Sequence, residues 1–155
     1  LWDANMDLLN PNVALDVWDD NWKIYSRTSG LPGHKIGSNA VIDNSMITEG
    51  CRVDGTVIQS VLFDNTRVAE GATVEASILM PGSVVEPGAC VRYSIIAENV
   101  VVKRGAMVGV RPEDMDDITK WGVAVVGEGI TIGAGAKVGP KAMVVKDVKE
   151  GEEQW

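Results

Sequence analysis

"QSVLFDNTRV" (residues 59–68), "ASILMPGSVV" (76–85) and "YSIIAENVVV" (93–102) begin 17 residues apart. Each reads as any residue, Ser, two aliphatics, five further residues and Val. An earlier relative, "NSMITEGCRV" (44–53), keeps the pattern but begins 15 residues before the first. Self-similarity at a fixed short period marks a chain built by stacking copies of one unit. Within the unit the aliphatics step by six: Leu62, Val68, Val74, then Leu79, Val85, Val91, then Ile96, Val102, Val108. Between these groups the step is five, so each unit has two six-residue sides and one of five. The same step joins Ile36 to Ile42 and Ile47 to Val53, and resumes at Val126, Ile132, Val138 and Val144.

A helix has period 3.6 and an alternating strand period 2, so neither accounts for a step of six. A short strand, one inward aliphatic and a tight bend do. Three such sides bring the chain back one rung higher, with equivalent aliphatics stacked above one another. Three positions before the inward aliphatics stand Asn39, Gly50, Asn65, Gly71, Gly82, Gly88, Asn99, Gly105, Gly129 and Gly135. These two residue types tolerate the positive φ that tight bends demand. Next come mostly small residues suited to a crowded corner, among them Ala40, Cys51, Thr66, Ala72, Ser83, Ala89, Ala106, Ala136 and Ala142, with Val100 and Ile130 as exceptions. The 15-residue spacing at the start predicts one shortened side between Val53 and Leu62. This grammar resembles the hexapeptide repeat of left-handed parallel β-helices. The resemblance supplies the handedness, since parallel crossovers are otherwise right-handed as a rule. The expected fold is therefore all-β: a left-handed parallel β-helix over 36–155 with a loop excursion at 110–122, preceded by a short N-terminal helix and connector over 1–35.

The 155 residues suit one domain. A net charge of −8 argues against nucleic acid as a partner. No apolar run reaches the roughly 18 residues of a membrane span, and the start does not read as a signal peptide. The chain opens at Leu1 as if inside an element, which suggests a piece of a longer protein. Cys51 and Cys90 fit no metal or redox spacing and read as small buried side chains in a reducing compartment.

Residues 1–35 lack the period. "LWDANMDLL" places Leu1, Met6 and Leu9 on a helical stripe that ends at Asn10-Pro11, and so short a helix needs something to pack against, such as a further domain. Trp2, Trp18, Trp22 and Tyr25 all fall outside the coils. "VRPEDMDDITKWG" (110–122) reads as an excursion between coils with acids near its start, or else as a functional arm. The tail "KDVKEGEEQW" is charged, as suits the end of an open stack.

Chemistry is sparse. His34 is the only histidine, so one chain cannot supply a three-histidine metal site, and no metal ligand is assigned. It stands in the connector as either a solvated side chain or a lone candidate base. The glycines of "GEGITIGAGAKVG" fall on the six-residue grid and form no phosphate loop. Ser60, Ser77 and Ser94 read as a column of hydroxyls at one corner, since a nucleophile needs a base beside it. No catalytic residue is assigned. Against the acidic background Arg92, Lys103 and Arg104 form a small basic group, a candidate site for a phosphorylated effector, with Arg52 and Arg67 in earlier coils.

"LWDANMDLL", "NWKIYS", "GCRVDGTVIQSVLF", "GATVEASILMP" and "YSIIAENVVV" together resemble the C-terminal part of the bacterial glucose-1-phosphate adenylyltransferase family. The likeness runs in order through residues 1–109 and weakens beyond. That family makes ADP-glucose and pyrophosphate from ATP and glucose 1-phosphate, in the cytoplasm, for glycogen synthesis. It joins an N-terminal nucleotidyltransferase domain to a left-handed β-helix, and its tetramers answer to phosphorylated metabolites. The resemblance implies a linker helix at residues 1–9 and an assembly and regulatory role for this chain, with a homo- or hetero-tetramer as the partner state. The catalytic domain and its Mg requirement would lie elsewhere in the parent enzyme, leaving this chain inactive by itself and without a cofactor. Where the family often carries Lys or Arg after the Ser-Ile-Ile strand this chain has Glu98, whereas Arg92 matches a commonly basic position. A stand-alone hexapeptide acyltransferase, and the same domain of a mannose-1-phosphate guanylyltransferase, are the alternatives.

Overall fold

The computed structural model describes residues 1–13, 17, 19–23 and 29–155; the expectations for Trp18 and Tyr25 lie outside them. From Lys35 onward short strands wind into three parallel sheets of six, seven and six strands, the faces of a triangular coil of about seven turns. This is the left-handed β-helix expected from the repeat, with a short helix before it. Register follows the six-residue grid. On the first face Val53, Val68, Val85, Val102 and Ile132 stack in succession. Val57, Val74, Val91, Val108 and Val138 stack on the second. Leu62, Leu79, Ile96, Val126 and Val144 stack on the third. All point inward and are at most 2% exposed. Each such side chain contributes about 1.5–3 kcal/mol by leaving water, so the columns are the core.

Two of the three corners behave as the sequence predicts. Of the ten expected bend positions all except Asn39 have positive φ. The small residues after them, from Cys51 to Ala142, are buried, and Val100 and Ile130 fit there too.

The third corner, where the chain passes from the second face to the third, is different. Here Asn44, Gln59, Ala76, Tyr93 and Lys141 take positive φ although none is glycine. That conformation costs a non-glycine residue roughly 1–2 kcal/mol. A serine follows the first four and offsets part of this cost, whereas Ala142 follows Lys141. Ser60, Ser77 and Ser94 each donate their hydroxyl to a backbone carbonyl two residues earlier, at 2.7, 2.7 and 2.6 Å. The same oxygens of Ser60 and Ser77 accept the backbone N–H of the next serine up, at 3.2 and 3.1 Å. The repeated Ser is thus a ladder that closes a strained turn.

The shortened side lies where the spacing predicts it, and it is narrower than the predicted interval. From Val53 to Val57 the chain takes four residues instead of six, turning at Gly55. A Cβ at Gly55 would lie 2.5 Å from the carbonyl oxygens of both Ala69 and Ala72, so only glycine fits the shortcut.

The ends of the coil are unequal. At the start Ile36 and Ile42 point along the inner columns yet are 41% and 38% exposed. At the other end the charged tail continues the coil: Val148, 3% exposed, bridges to Ile132, and Glu153–Gln154 pairs with Lys137–Val138.

Residues 2–6 form the N-terminal helix, continued by a 3-10 turn over Asp7–Leu9. It ends at Asn10, whose extended backbone (ψ 118) is what a following proline imposes. The helix lies against the strand Val61–Leu62 and the Trp2 indole donates to the Gln59 carbonyl at 2.8 Å. Val61 and Ile78 point outward from the third face but are 1% and 0% exposed. The helix therefore lies on the flank of its own coil, while Leu1 of its apolar stripe stays 67% exposed.

Candidate functional site

The coil is interrupted at the serine corner. At Gly109 (φ +75) a Cβ would fall on the Arg92 carbonyl oxygen, so glycine alone can close this rung and release the chain. Residues 110–123 then leave the coil, and the chain returns at Ala124, which pairs with Ser94. The excursion holds 3-10 turns at Pro112–Asp114 and Ile118–Lys120. Pro112 opens the first with Glu113 and Asp114 in its first turn. Asp117 caps the second by accepting the Thr119 backbone N–H at 3.0 Å and hydroxyl at 2.7 Å. Those bonds hold the Asp117 carboxyl below its ordinary range.

Three contacts fasten the excursion to the coil. Arg111 makes a forked bond to Glu75, with Nε 3.0 and 2.8 Å from the two carboxylate oxygens and Nη2 2.6 Å from Oε2. The Trp121 indole donates to the Val110 carbonyl at 2.8 Å, and its ring meets Tyr93 edge-on at 5.4 Å. Lys141 donates to the Thr119 carbonyl at 2.7 Å. The Glu75 bond raises the Arg111 pKa further, so this guanidinium stays charged at any ordinary pH.

Arg92 stands on the rung above Glu75, paired with it in register. Its Nε lies 3.4 Å from the same carboxylate oxygen that Arg111 holds, and this buried N–H makes no hydrogen bond. Two guanidiniums thus share one carboxylate. Glu113 and Asp114 add negative charge on the Arg111 side.

Lys103 and Arg104 do not join Arg92. They follow the first face, and both bind Glu86: Lys103 Nζ at 2.9 Å and the Arg104 backbone N–H at 3.0 Å. The Lys103 bond lowers the Glu86 pKa. The physical reason for the split is the period. Neighbours across rungs are 17 residues apart, as Glu75 is from Arg92 and Glu86 from Lys103, whereas Arg92 and Lys103 differ by 11. That spacing was a usable signal for Glu75; nothing in the sequence placed Arg111.

Between helix and excursion opens an apolar cleft of about 380 Å³, walled by Trp2, Tyr93, Trp121, Ile78, Ile95 and Val123 with Asp3 at its edge. Burial, then the nearby Glu113 and Glu75, push the Tyr93 phenol up.

The remaining sequence candidates carry no chemistry here. The serine hydroxyls are spent on the backbone. His34 is exposed and has no hydrogen-bond or ion-pair partner among the described residues. Both cysteines are free thiols; Cys51 is buried beside Thr66 and the Phe63 carbonyl, and burial pushes the Cys90 thiol up. Among the described residues no three His, Cys, Asp or Glu side chains come together as a metal site. No described helix is long and apolar enough to cross a membrane.

A family model described as GlmU-like, C-terminal hexapeptide matches residues 32–132. The chain belongs to this family. Curated relatives include glucose-1-phosphate adenylyltransferases from Geobacillus stearothermophilus, 47% identical over 75 residues, and from Bacillus mycoides, 43% identical over 83. These matches cover 48% and 54% of this chain but 19% and 22% of the relatives, so the chain spans about a fifth of their length. A perosamine N-acetyltransferase from Caulobacter crescentus, crystallised with CoA and GDP-perosamine, shares the fold: TM-score 0.51 and 20% identity over 79% of this chain and 50% of that one. The hexapeptide family thus unites the repeat, the three faces and the likeness to adenylyltransferases.

Proposed function

We infer that this chain is the assembly and effector-sensing part of a glucose-1-phosphate adenylyltransferase. On this reading the parent enzyme makes ADP-glucose and pyrophosphate from ATP and glucose 1-phosphate with Mg, in the cytoplasm, for glycogen synthesis. The chain supplies self-association into a tetramer and a site for a phosphorylated metabolite, and catalysis belongs to another domain. The observation that carries the reading is the 43–47% identity to adenylyltransferases over about half of the chain. Arg92, whose side chain is 24% exposed beside Glu75, offers the effector the outer part of its guanidinium, with Lys103 and Arg104 as a second anion contact that Glu86 would have to release. Glu75 and Arg111 couple the first position to the excursion, so an anion competing for Arg92 or Arg111 loosens the latch.

The test has two arms. With Mg, ATP and glucose 1-phosphate the chain alone makes no ADP-glucose, and it sediments as an oligomer. Turnover by residues 1–155 sinks the division of labour, and a monomer at all concentrations sinks the assembly role.

A further inference from the structure

Two cations compete for the carboxylate of Glu75. Arg111 holds it with the forked bond, reaching back from outside the coil. Arg92 stands beside it on the next rung, at the paired outward position. The Arg92 Nε lies 3.4 Å from the oxygen that Arg111 occupies; it is buried and makes no hydrogen bond among the described residues. A buried donor without an acceptor destabilises the arrangement that contains it. The two guanidiniums also repel one another across the shared oxygen. The observed state therefore suits Arg111 and leaves Arg92 unsatisfied.

The opposite arrangement leaves no charge alone. Glu75 is only 14% exposed, so it requires a cation when Arg111 departs. Arg92 is already in register to supply one, because side chains paired across adjacent strands are within reach of each other. Arg111, 34% exposed, keeps the negative charges of Glu113 and Asp114 from its own segment. We propose that the excursion over residues 110–122 is a strap with two states and that Glu75 switches between them, binding Arg111 when the strap is closed and Arg92 when it is open. Arg92 takes the carboxylate as Arg111 leaves, which satisfies its Nε–H and makes opening easier. Few other contacts resist. The Trp121 indole bonds to Val110, inside the strap, so that bond can travel with it. What crosses to the coil is the edge contact of Trp121 with Tyr93 and the exposed Lys141 bond to the Thr119 carbonyl. Trp121 also walls the apolar cleft beside the N-terminal helix, so opening the strap widens that cleft. The switch uses this chain's own residues and does not depend on the enzyme assigned above.

Amide hydrogen exchange of the full chain, read by mass spectrometry, tests it, because the switch gives Arg92 an effect opposite in sign to that of a supporting contact. Arg92→Met keeps the aliphatic stem and removes the charge. Exchange in residues 110–122 should then slow by about threefold or more, since the open strap has lost the group that receives Glu75, while the coil is unchanged. Arg92→Gln repeats the measurement with a polar side chain, and far-UV circular dichroism checks that each variant keeps the coil. In an Arg111→Ala background the strap no longer competes for Glu75, so adding Arg92→Met should leave its exchange as it was. Faster exchange in Arg92→Met would show that Arg92 helps to hold the strap closed, and unchanged exchange would make it a bystander. Either result overturns the switch, as does equal slowing with and without Arg111.

Discussion

The serine corner exists in two forms in one molecule. In the lower rungs it is a tight turn, with a strained non-glycine residue and a serine whose hydroxyl serves two backbone groups. At Gly109 the corner is replaced for one rung by the excursion, and on the next rung it is a tight turn again, with Lys141 at positive φ but Ala142 where the lower rungs have serine. The strained turn thus forms with or without the hydroxyl, and the serine ladder belongs to the rungs below the excursion. The difference teaches that a repeat can retain its inward aliphatics across an insertion while abandoning the polar device that closed its corner.

Gly109→Val tests the junction between the two forms and has the largest expected effect. Its side chain would occupy the site of the Arg92 carbonyl at a positive φ, and a loss of about 3–5 kcal/mol is expected by thermal or urea unfolding. A mild loss would show that the rung can open without the glycine.

Ser77→Ala in the lower form leaves the buried Ser94 N–H without its acceptor and should cost about 1–3 kcal/mol. Ala124→Ser in the upper form places a hydroxyl at a fully buried site and should bring no gain, costing about 1–3 kcal/mol where the hydroxyl finds no acceptor. A gain in stability from Ala124→Ser would erase the distinction.

Arg111→Ala should leave global stability within about 1 kcal/mol, because the pair is partly solvated. Amide exchange in residues 110–122 should accelerate well before that of the coil. Uniform protection after the substitution would mean that Trp121 and Lys141 hold the excursion without the latch.

Acid should reach the excursion first as well. Asp117 has a folded pKa below its unfolded value, near 3.9 for an aspartate. Its contribution is therefore present above that unfolded value and lost as pH falls through the lower folded one. Trp121 fluorescence should change in this range, below about pH 4, while the far-UV signal of the coil persists. Coincident transitions would contradict a separately held excursion.

The smallest effect has an unusual sign. Ala76→Gly relieves a left-handed residue at a cost in chain entropy of about 0.5–1 kcal/mol, so a net gain of up to about 1 kcal/mol is expected. A loss would mean that the serine ladder has already removed the strain.

Much of the fold was legible because a β-helix writes itself in one dimension. Each inward aliphatic at Leu62, Leu79 or Ile96 has its neighbours one rung away, at a fixed offset in sequence. The bends at Gly71, Gly88 and Gly105 announce a φ that few other residues adopt. The third corner was not legible, since Gln59, Ala76 and Tyr93 carry no left-handed signature of their own. The candidate site was legible only in part. Arg92 stood out by charge, and the rung offset points to Glu75. The grouping with Lys103 and Arg104 was an artefact of reading proximity along the chain in a structure where proximity comes every 17 residues.

By itself the sequence determined the period, the three faces, the inward columns and the place of the shortened side, because each depends on local spacing and backbone sterics. Only the tertiary structure decided that the helix lies on the third face, that Arg111 reaches back to Glu75, and that the tail closes one end while Ile36 and Ile42 stay exposed at the other. Those contacts join segments with no common period, and their geometry is set by how finished surfaces meet in space.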